Sequence, residues 1–221
     1  MPSEKLYAVI TGDVVHSSKL NINDRVLLLK NLKSVFHDIE SYISHEKIKF
    51  PFEIFRGDSF QVTLNDPASA FPVMILLRTG IRKAYNVPLK NITDLRLAAG
   101  IGFIDEVSEL RSGENDGEAY RLSGNEIDRL SRIHQRMAII TTHDRLNEEL
   151  KMYLILLDQV FLKISAKQSE AIYWSMLDKT QVEIAALLNI RQSSLNDRLI
   201  ASGFEAIKML NHRINAIFSA L

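Results

Sequence analysis

The sequence predicts an α+β chain: an antiparallel sheet with helices on one face, followed by a small all-helical unit. Three observations predict it. Short apolar runs with strand-like alternation are interleaved with segments of 3.6-residue period over the first half. Their order there is strand, helix, strand, strand, helix, strand. Beyond residue 164 only helical periodicity remains, broken by short polar stretches.

Residues 6–11 form an apolar run ending at Gly12-Asp13, which reads as a buried strand. The polar loop VVHSSKLNIND follows. From about residue 24, Val26, Leu29, Leu32, Phe36, Ile39 and Ile43 recur at threes and fours, an amphipathic helix with Asn23 as its N-cap. Residues 52–56 and 60–64 alternate around Arg56-Gly57-Asp58-Ser59 as a β-hairpin with an acidic tip. Asn65-Asp66-Pro67 opens a second helix, in which Pro72 implies a later start or a kink. Residues 95–104 form a fourth strand, whose Gly100 and Gly102 imply a bulge or a close backbone approach. Residues 105–117 read as a charged loop. A helix over 118–134 turns Tyr120, Ile127, Leu130 and Ile133 inward, with Gly124 weakening it. A fifth strand over 137–141 precedes a long helix. The division expected is therefore a sheet domain over 1–143, a connecting helix over 144–163 and a helical domain over 164–221.

Composition bounds the function. The 221 residues are 46% hydrophobic and 24% charged, enough for a sizeable core. Lys and Arg balance Asp and Glu at 27 each, so a nucleic-acid contact would need a local basic patch. There is no cysteine, which excludes disulfides, thiolate catalysis and cysteine–zinc sites. The opening MPSEKLYAVITGD lacks a signal-peptide pattern and no run approaches a membrane span, so a cytoplasmic protein without membrane contact is expected.

The element order commonly folds in the ferredoxin-like arrangement, with the first strand beside the third and antiparallel to it. That places Asp13, at the end of the first strand, next to Asp58, 45 residues later at the start of the third. Neighbouring carboxylates repel, and a hard divalent cation, Mg²⁺ or Mn²⁺, relieves the repulsion. The alternative is that both are turn residues. Backbone N–H groups after Asp13, the Ser17 and Ser18 hydroxyls and Lys19 could hold phosphate oxygens; alternatively this is a solvated capping loop, with His16 exposed.

The segments AVITGDVVHSS, FRGDSFQVTL and LRLAAGIGFID resemble the signature segments of class III nucleotidyl cyclases. They are closer still to the SatD-like bacterial proteins, with their GD-V-S, GD-F-Q and GIG elements. The resemblance covers roughly residues 6–135. It implies a nucleotidyl-cyclase-like sheet domain, Asp13 and Asp58 as metal ligands, the Val14 carbonyl as a third, and His16, Ser17 and Ser18 facing the phosphates of a nucleoside triphosphate. The first loop departs from the pattern at His16, where glycine is expected. Arg121 and Asn125 differ in order and spacing from the residues that support the transition state. If catalysis occurs, it would be two-metal phosphoryl transfer.

Residues 180–207, TQVEIAALLNIRQSSLNDRLIASGFEAI, resemble a helix-turn-helix, preceded by a segment similar to the entry helix of sigma-factor region four. Asn189 sits where a left-handed turn residue is needed. Arg191, Gln192, Ser193, Asn196 and Arg198 would face double-stranded DNA, while Asp197 would oppose phosphate. From Lys163 onward the chain carries seven Lys or Arg against five Asp or Glu, an excess that a homodimer would double. The alternative is a helical dimerisation module. Three functions thus compete: a nucleotide-binding transcriptional regulator, an active cyclase or nucleotidyltransferase, and a ligand-free interaction module.

Overall fold

The computed structural model describes residues 5–55, 57–84, 93–105, 115–133 and 135–220, the Lys19 side chain excepted. Five strands form one sheet: β1 (Tyr7–Val14), β2 (Ile48–Phe55), β3 (Ser59–Leu64), β4 (Leu95–Gly102) and β5 (Met137–Ile140). Their order is β2-β3-β1-β4-β5. β1 pairs antiparallel with β3 and β4, and β2 with β3, which is the expected four-stranded arrangement. β5 extends it and runs parallel to β4. A parallel neighbour requires a crossover, and α3 (Glu118–Arg132) supplies it.

The crossover corrects one expectation: helices cover both faces, not one. Along β1, Ala8, Ile10 and Val14 join the core that includes α1 (Ile22–Tyr42) and α2 (Ala70–Lys83). Tyr7 and Val9 pack instead with Ala119 and Tyr120 of α3. Since alternate strand residues point to opposite faces, β1 is buried on both. That is why it reads as an unbroken apolar run rather than an alternating one.

α3 lies close because β4 turns only small residues toward its first turns, Gly100 and Gly102, with Ala98 against Leu130 further along. A Cβ on Gly100 would come within 2.2 Å of the Ala119 carbonyl oxygen, and one on Gly102 within 2.6 Å of Glu118 Oε2. Polar side chains fasten the same face. Thr11 Oγ1 donates to Ser123 Oγ at 3.0 Å, Gln61 Nε2 donates to Thr11 Oγ1 at 3.0 Å, and the Thr63 and Tyr120 hydroxyls meet at 2.9 Å.

One helix start differs from expectation, and a second settles between the later start and the kink that Pro72 implied. Asn21, not Asn23, caps α1: its side chain accepts from the Asp24 N–H at 2.9 Å, while Asn23 is already helical. The inward stripe is Leu28, Leu32, Val35, Phe36 and Ile39, which leaves Val26 63% exposed. Ahead of α2, a single 3₁₀ turn over Pro67–Ser69 is capped by Asp66, so α2 begins at Ala70. Pro72 then falls in the first turn, where a missing N–H costs no helical hydrogen bond.

The remaining helices are α4 (Asp144–Phe161), α5 (Ala166–Met176), α6 (Gln181–Leu187), α7 (Gln192–Ala201) and α8 (Phe204–Phe218). The apolar cluster does not stop at residue 164. Ile172, Tyr173, Ile207, Ile214 and Phe218 belong to the cluster that holds Val73, Leu77 and Ile10. α2 is consequently apolar nearly all round and buried from Ala70 to Arg82 except at Pro72, as expected for a helix enclosed by other elements.

Two arginines interrupt that helix. The fully buried Arg78 forks onto Asp94, with Nε to Oδ1 and Nη2 to Oδ2 both at 2.9 Å, and its Nη1 donates to Asp158 of α4. Arg82 Nη1 reaches Asp94 at 2.9 Å, and its Nη2 donates to the carbonyls of Phe161 at 2.9 Å and Ile164 at 2.7 Å. Asp158 also accepts the Arg136 N–H at 2.7 Å. Burial alone would raise the Asp94 carboxyl, but Arg78, Arg82 and the Leu95 N–H outweigh it and hold it below the ordinary 3.8.

Gly100→Ala should destabilise the protein by about 1–3 kcal/mol through overpacking, whereas Gly124→Ala, with nothing within 4 Å of the new Cβ, should stabilise it by roughly 0.5–1 kcal/mol. Urea denaturation of both variants checks the pair. Asp158→Ala takes the partner from Arg78 Nη1 and leaves the buried cluster one positive charge in excess, and should cost about 3–5 kcal/mol. Because the folded Asp94 is depressed, its contribution is complete above the ordinary carboxylate value and is lost as pH falls below 3.8 toward its folded value. Urea midpoints measured from pH 7 down to pH 3 should drop in that window, and by less in Asp94→Asn.

Candidate functional site

The antiparallel register sets Asp13 of β1 opposite Ser59 of β3 and opposite Arg96 of β4. Asp58 is thus one residue from Asp13's cross-strand partner, the juxtaposition expected from element order. The two carboxylates have different partners. Arg96 grips Asp13 with a two-pronged pair, Nε to Oδ1 at 2.7 Å and Nη2 to Oδ2 at 2.9 Å, both side chains 20% exposed. Asp58 Oδ2 accepts the Ser17 hydroxyl. The hairpin that carries Asp58 turns at Gly57, with φ of 87°, a left-handed conformation that glycine adopts freely. Arg56 lies outside the described residues.

The loop after β1 is held at its base by Val15, whose N–H donates to the Asp94 carbonyl at 2.9 Å. His16 is exposed and left-handed, with φ of 60°. It stands where the resemblance expects glycine, and its backbone takes the glycine-like conformation that histidine tolerates better than most residues. Ser17–Lys19 then form one 3₁₀ turn, closed by the Leu20 N–H on the Ser17 carbonyl at 3.1 Å. Val14 ends the strand, paired with Leu95.

Ser17, Ser18, Gly57 and Asp58 meet Arg25 and Leu28 of α1 around a cavity of about 200 Å³. Pockets for whole drug-sized ligands hold about 300–1,000 Å³, so this one suits a phosphate-sized group. The sequence reading missed Arg25. Its signal was a cation in the first turn of a helix, where the macrodipole favours an anion. Arg25 is exposed, and its guanidinium makes no hydrogen bond or ion pair among the described residues. The reading also missed Arg96, one residue into β4 and directly across from Asp13.

A divalent cation fits this donor set in kind: hard carboxylate oxygens from Asp13 and Asp58 and the nearby backbone of Val14. Among the described residues no group of three or more His, Cys, Asp or Glu could hold a metal, so remaining ligands would come from phosphate or water. On α3, Arg121 pairs with Asp116 at 3.0 Å, and both Arg121 and Asn125 are exposed.

In the C-terminal helices, Asn189 has φ of 51°, the left-handed residue expected between α6 and α7. Leu195 and Leu199 of α7 pack with Ile184 and Ala185 of α6 and Ala171 of α5. That leaves Arg191, Gln192, Ser193, Asn196 and Asp197 exposed and Arg198 half-buried. Trp174, half-buried, packs against this cluster. No helix among the described residues is long and apolar enough to cross a membrane.

Among solved structures, the chain is similar to the active GGEEF domain of a diguanylate cyclase from Vibrio cholerae, at 18% identity over 63% of this chain and 85% of that one, with a TM-score of 0.42. It is similar also to a bacterial light-regulated adenylyl cyclase, at 14% identity over 63% of this chain and 44% of that one, with a TM-score of 0.41. No curated protein matches the chain. The model of the SatD family matches residues 7–217, from the first residue of β1 almost to the end of α8, and the chain belongs to the SatD family.

Proposed function

We propose that this chain is a nucleotide-responsive DNA-binding regulator. The β1 end binds a nucleoside triphosphate with Mg²⁺ or Mn²⁺, and the exposed face of α7 binds double-stranded DNA, the chain acting as a homodimer. The observation that carries the reading is the cavity that gathers Ser17, Ser18, Arg25 and Asp58 one register position from Asp13. Hydroxyls and a guanidinium suit phosphate oxygens, and the carboxylates suit the cation that accompanies them. Bound there, the cation would neutralise phosphate charge.

Helix α1 supports the regulatory half. Its first turn carries Arg25 at the cavity. Near its other end, Asp38 accepts the Tyr173 hydroxyl of α5 at 2.8 Å, and Tyr42 donates to Asp178, just ahead of α6, at 2.6 Å. Burial, reinforced by Asp178, pushes the Tyr42 phenol up to about 12, so it stays a donor at neutral pH. A shift at the phosphate end of this rod would be felt where the DNA-facing helices attach. One observation favours binding over turnover. Arg96 occupies both oxygens of Asp13, one of the two carboxylates that two-metal transfer would require.

Calorimetry with each common nucleoside triphosphate and Mg²⁺ tests the first half. The wild type should bind at least one, and Asp58→Asn and Arg25→Ala should each weaken it about ten-fold, the scale of a charge-assisted hydrogen bond. No binding, or equal binding by both variants, would overturn it. Pyrophosphate release that Asp13→Ala abolishes would favour the enzyme instead. For the second half, genomic fragments should shift at low salt. Arg191→Ala should lower the slope of log affinity against log salt by about one. Nucleotide should alter that affinity in wild type and much less in Tyr42→Phe.

A further inference from the structure

The two helices α6 and α7 begin with the same residue type, and those residues touch. Gln181 is the first residue of α6 and Gln192 the first of α7. Both are exposed, and Gln192 Nε2 donates to Gln181 Oε1 at 3.4 Å. Gln181 stands on a rigid base. The Thr180 hydroxyl accepts the Glu183 N–H at 3.3 Å, while Glu183 Oε2 accepts the Thr180 N–H at 2.7 Å, a reciprocal cap. The spacing between the helices is fixed by the left-handed Asn189 and by Ile190, which packs on the cluster of Ile184, Leu195 and Leu199.

We propose that Gln192, braced by Gln181, reads an adenine edge in the major groove of DNA. The inference rests on the DNA-binding half of the function proposed above. A carboxamide has two N–H donors and one acceptor oxygen. One N–H of Gln192 faces Gln181 Oε1 at 3.4 Å, a long hydrogen bond that biases which way the amide points. The other N–H and Oε1 remain free and coplanar. Adenine presents an acceptor, N7, beside a donor, the N6 amine, and so takes both. Guanine presents two acceptors, N7 and O6, and would set O6 against Gln192 Oε1. An unbraced glutamine could rotate to suit other edges. A braced one discriminates. Ser193 and Asn196 on the same exposed face would meet neighbouring bases, and Arg191 the backbone.

The test is selection by the full chain from a random double-stranded DNA pool, followed by affinity measurements on the selected site. The wild type should enrich a site with one adenine that Gln192→Ala no longer prefers, the rest of the site being unchanged. Gln181→Ala should blunt the preference at that same base. Replacing that adenine by 7-deazaadenine removes the N7 acceptor. It should weaken wild-type binding about ten-fold, within the range of one bidentate pair, and leave Gln192→Ala binding unchanged. An adenine preference that survives in Gln192→Ala, or a 7-deaza effect equal in the two proteins, would overturn the assignment while leaving DNA binding intact. A wild type that binds no DNA at low salt would overturn the assignment and the DNA-binding reading together.

Discussion

Two arginines and two aspartates, all but shut away from water, hold this molecule in one piece. Arg78 and Arg82 rise from the C-terminal half of a helix surrounded by other elements, and Asp94 and Asp158 meet them from just ahead of β4 and from α4. Their charges cancel, and the Arg82 guanidinium also donates to backbone carbonyls at the end of α4 and just beyond it. Isolated, any one of them would carry a desolvation penalty of several kcal/mol. Together they fix where α4 ends and where α5 begins. The arrangement also stacks the Arg78 guanidinium 4.2 Å from the Phe161 ring centre, adding a cation–π contact within the core. The C-terminal helices are docked by this network and by the apolar cluster around it.

The same network stands directly behind the candidate site. The Asp94 side chain faces the arginines, while its carbonyl holds the Val15 N–H at the base of the loop after β1. Two residues on, Arg96 grips Asp13. A stretch of three residues therefore ties the core, the loop and the carboxylate together, with alternate side chains serving alternate sides. Asp94 acts as a positioning residue for the loop, and its buried partners keep it from drifting. The geometry around Asp13 depends on charges on α2 that never approach the site.

Much of this was legible in the sequence, and the rest was not for identifiable reasons. The strand order followed from the succession of periods, and with it the placing of Asp13 beside Asp58. Gly100 and Gly102 signalled a close approach, and α3 makes it. The burial of β1 on both faces was written in its unbroken apolar run, but the helix on the second face was not, because α3 is polar on average and its inward side is built from hydroxyls such as Ser123 and Tyr120. Asn21 and Asn23 are both good caps at the edge of a periodic run, and only backbone conformation separates them. The buried arginines were invisible for a different reason. Arg78 and Arg82 are spaced four apart, which in sequence looks like one solvated face, and their acidic partners lie 12 to 80 residues away. Arg96 likewise shows its role only through cross-strand register.

The pairing of Arg96 with Asp13 also bears on what the β1 end can bind. A metal ion arriving alone would have to compete with a guanidinium already seated on both carboxylate oxygens, and would bring positive charge toward Arg96 and Arg25. A metal–phosphate complex brings its own compensation. On the proposed reading, phosphate oxygens would take over the Arg96 guanidinium, and Asp13 would then be a carboxylate able to hold the cation. The exchange replaces one charge-assisted pair by two, so the cost of breaking the first is offset within the site. On the proposed reading, then, cation and nucleotide bind jointly rather than in sequence, and Asp13 answers only to the pair of them. On that reading the site would stay silent toward free divalent ions and answer to the nucleotide.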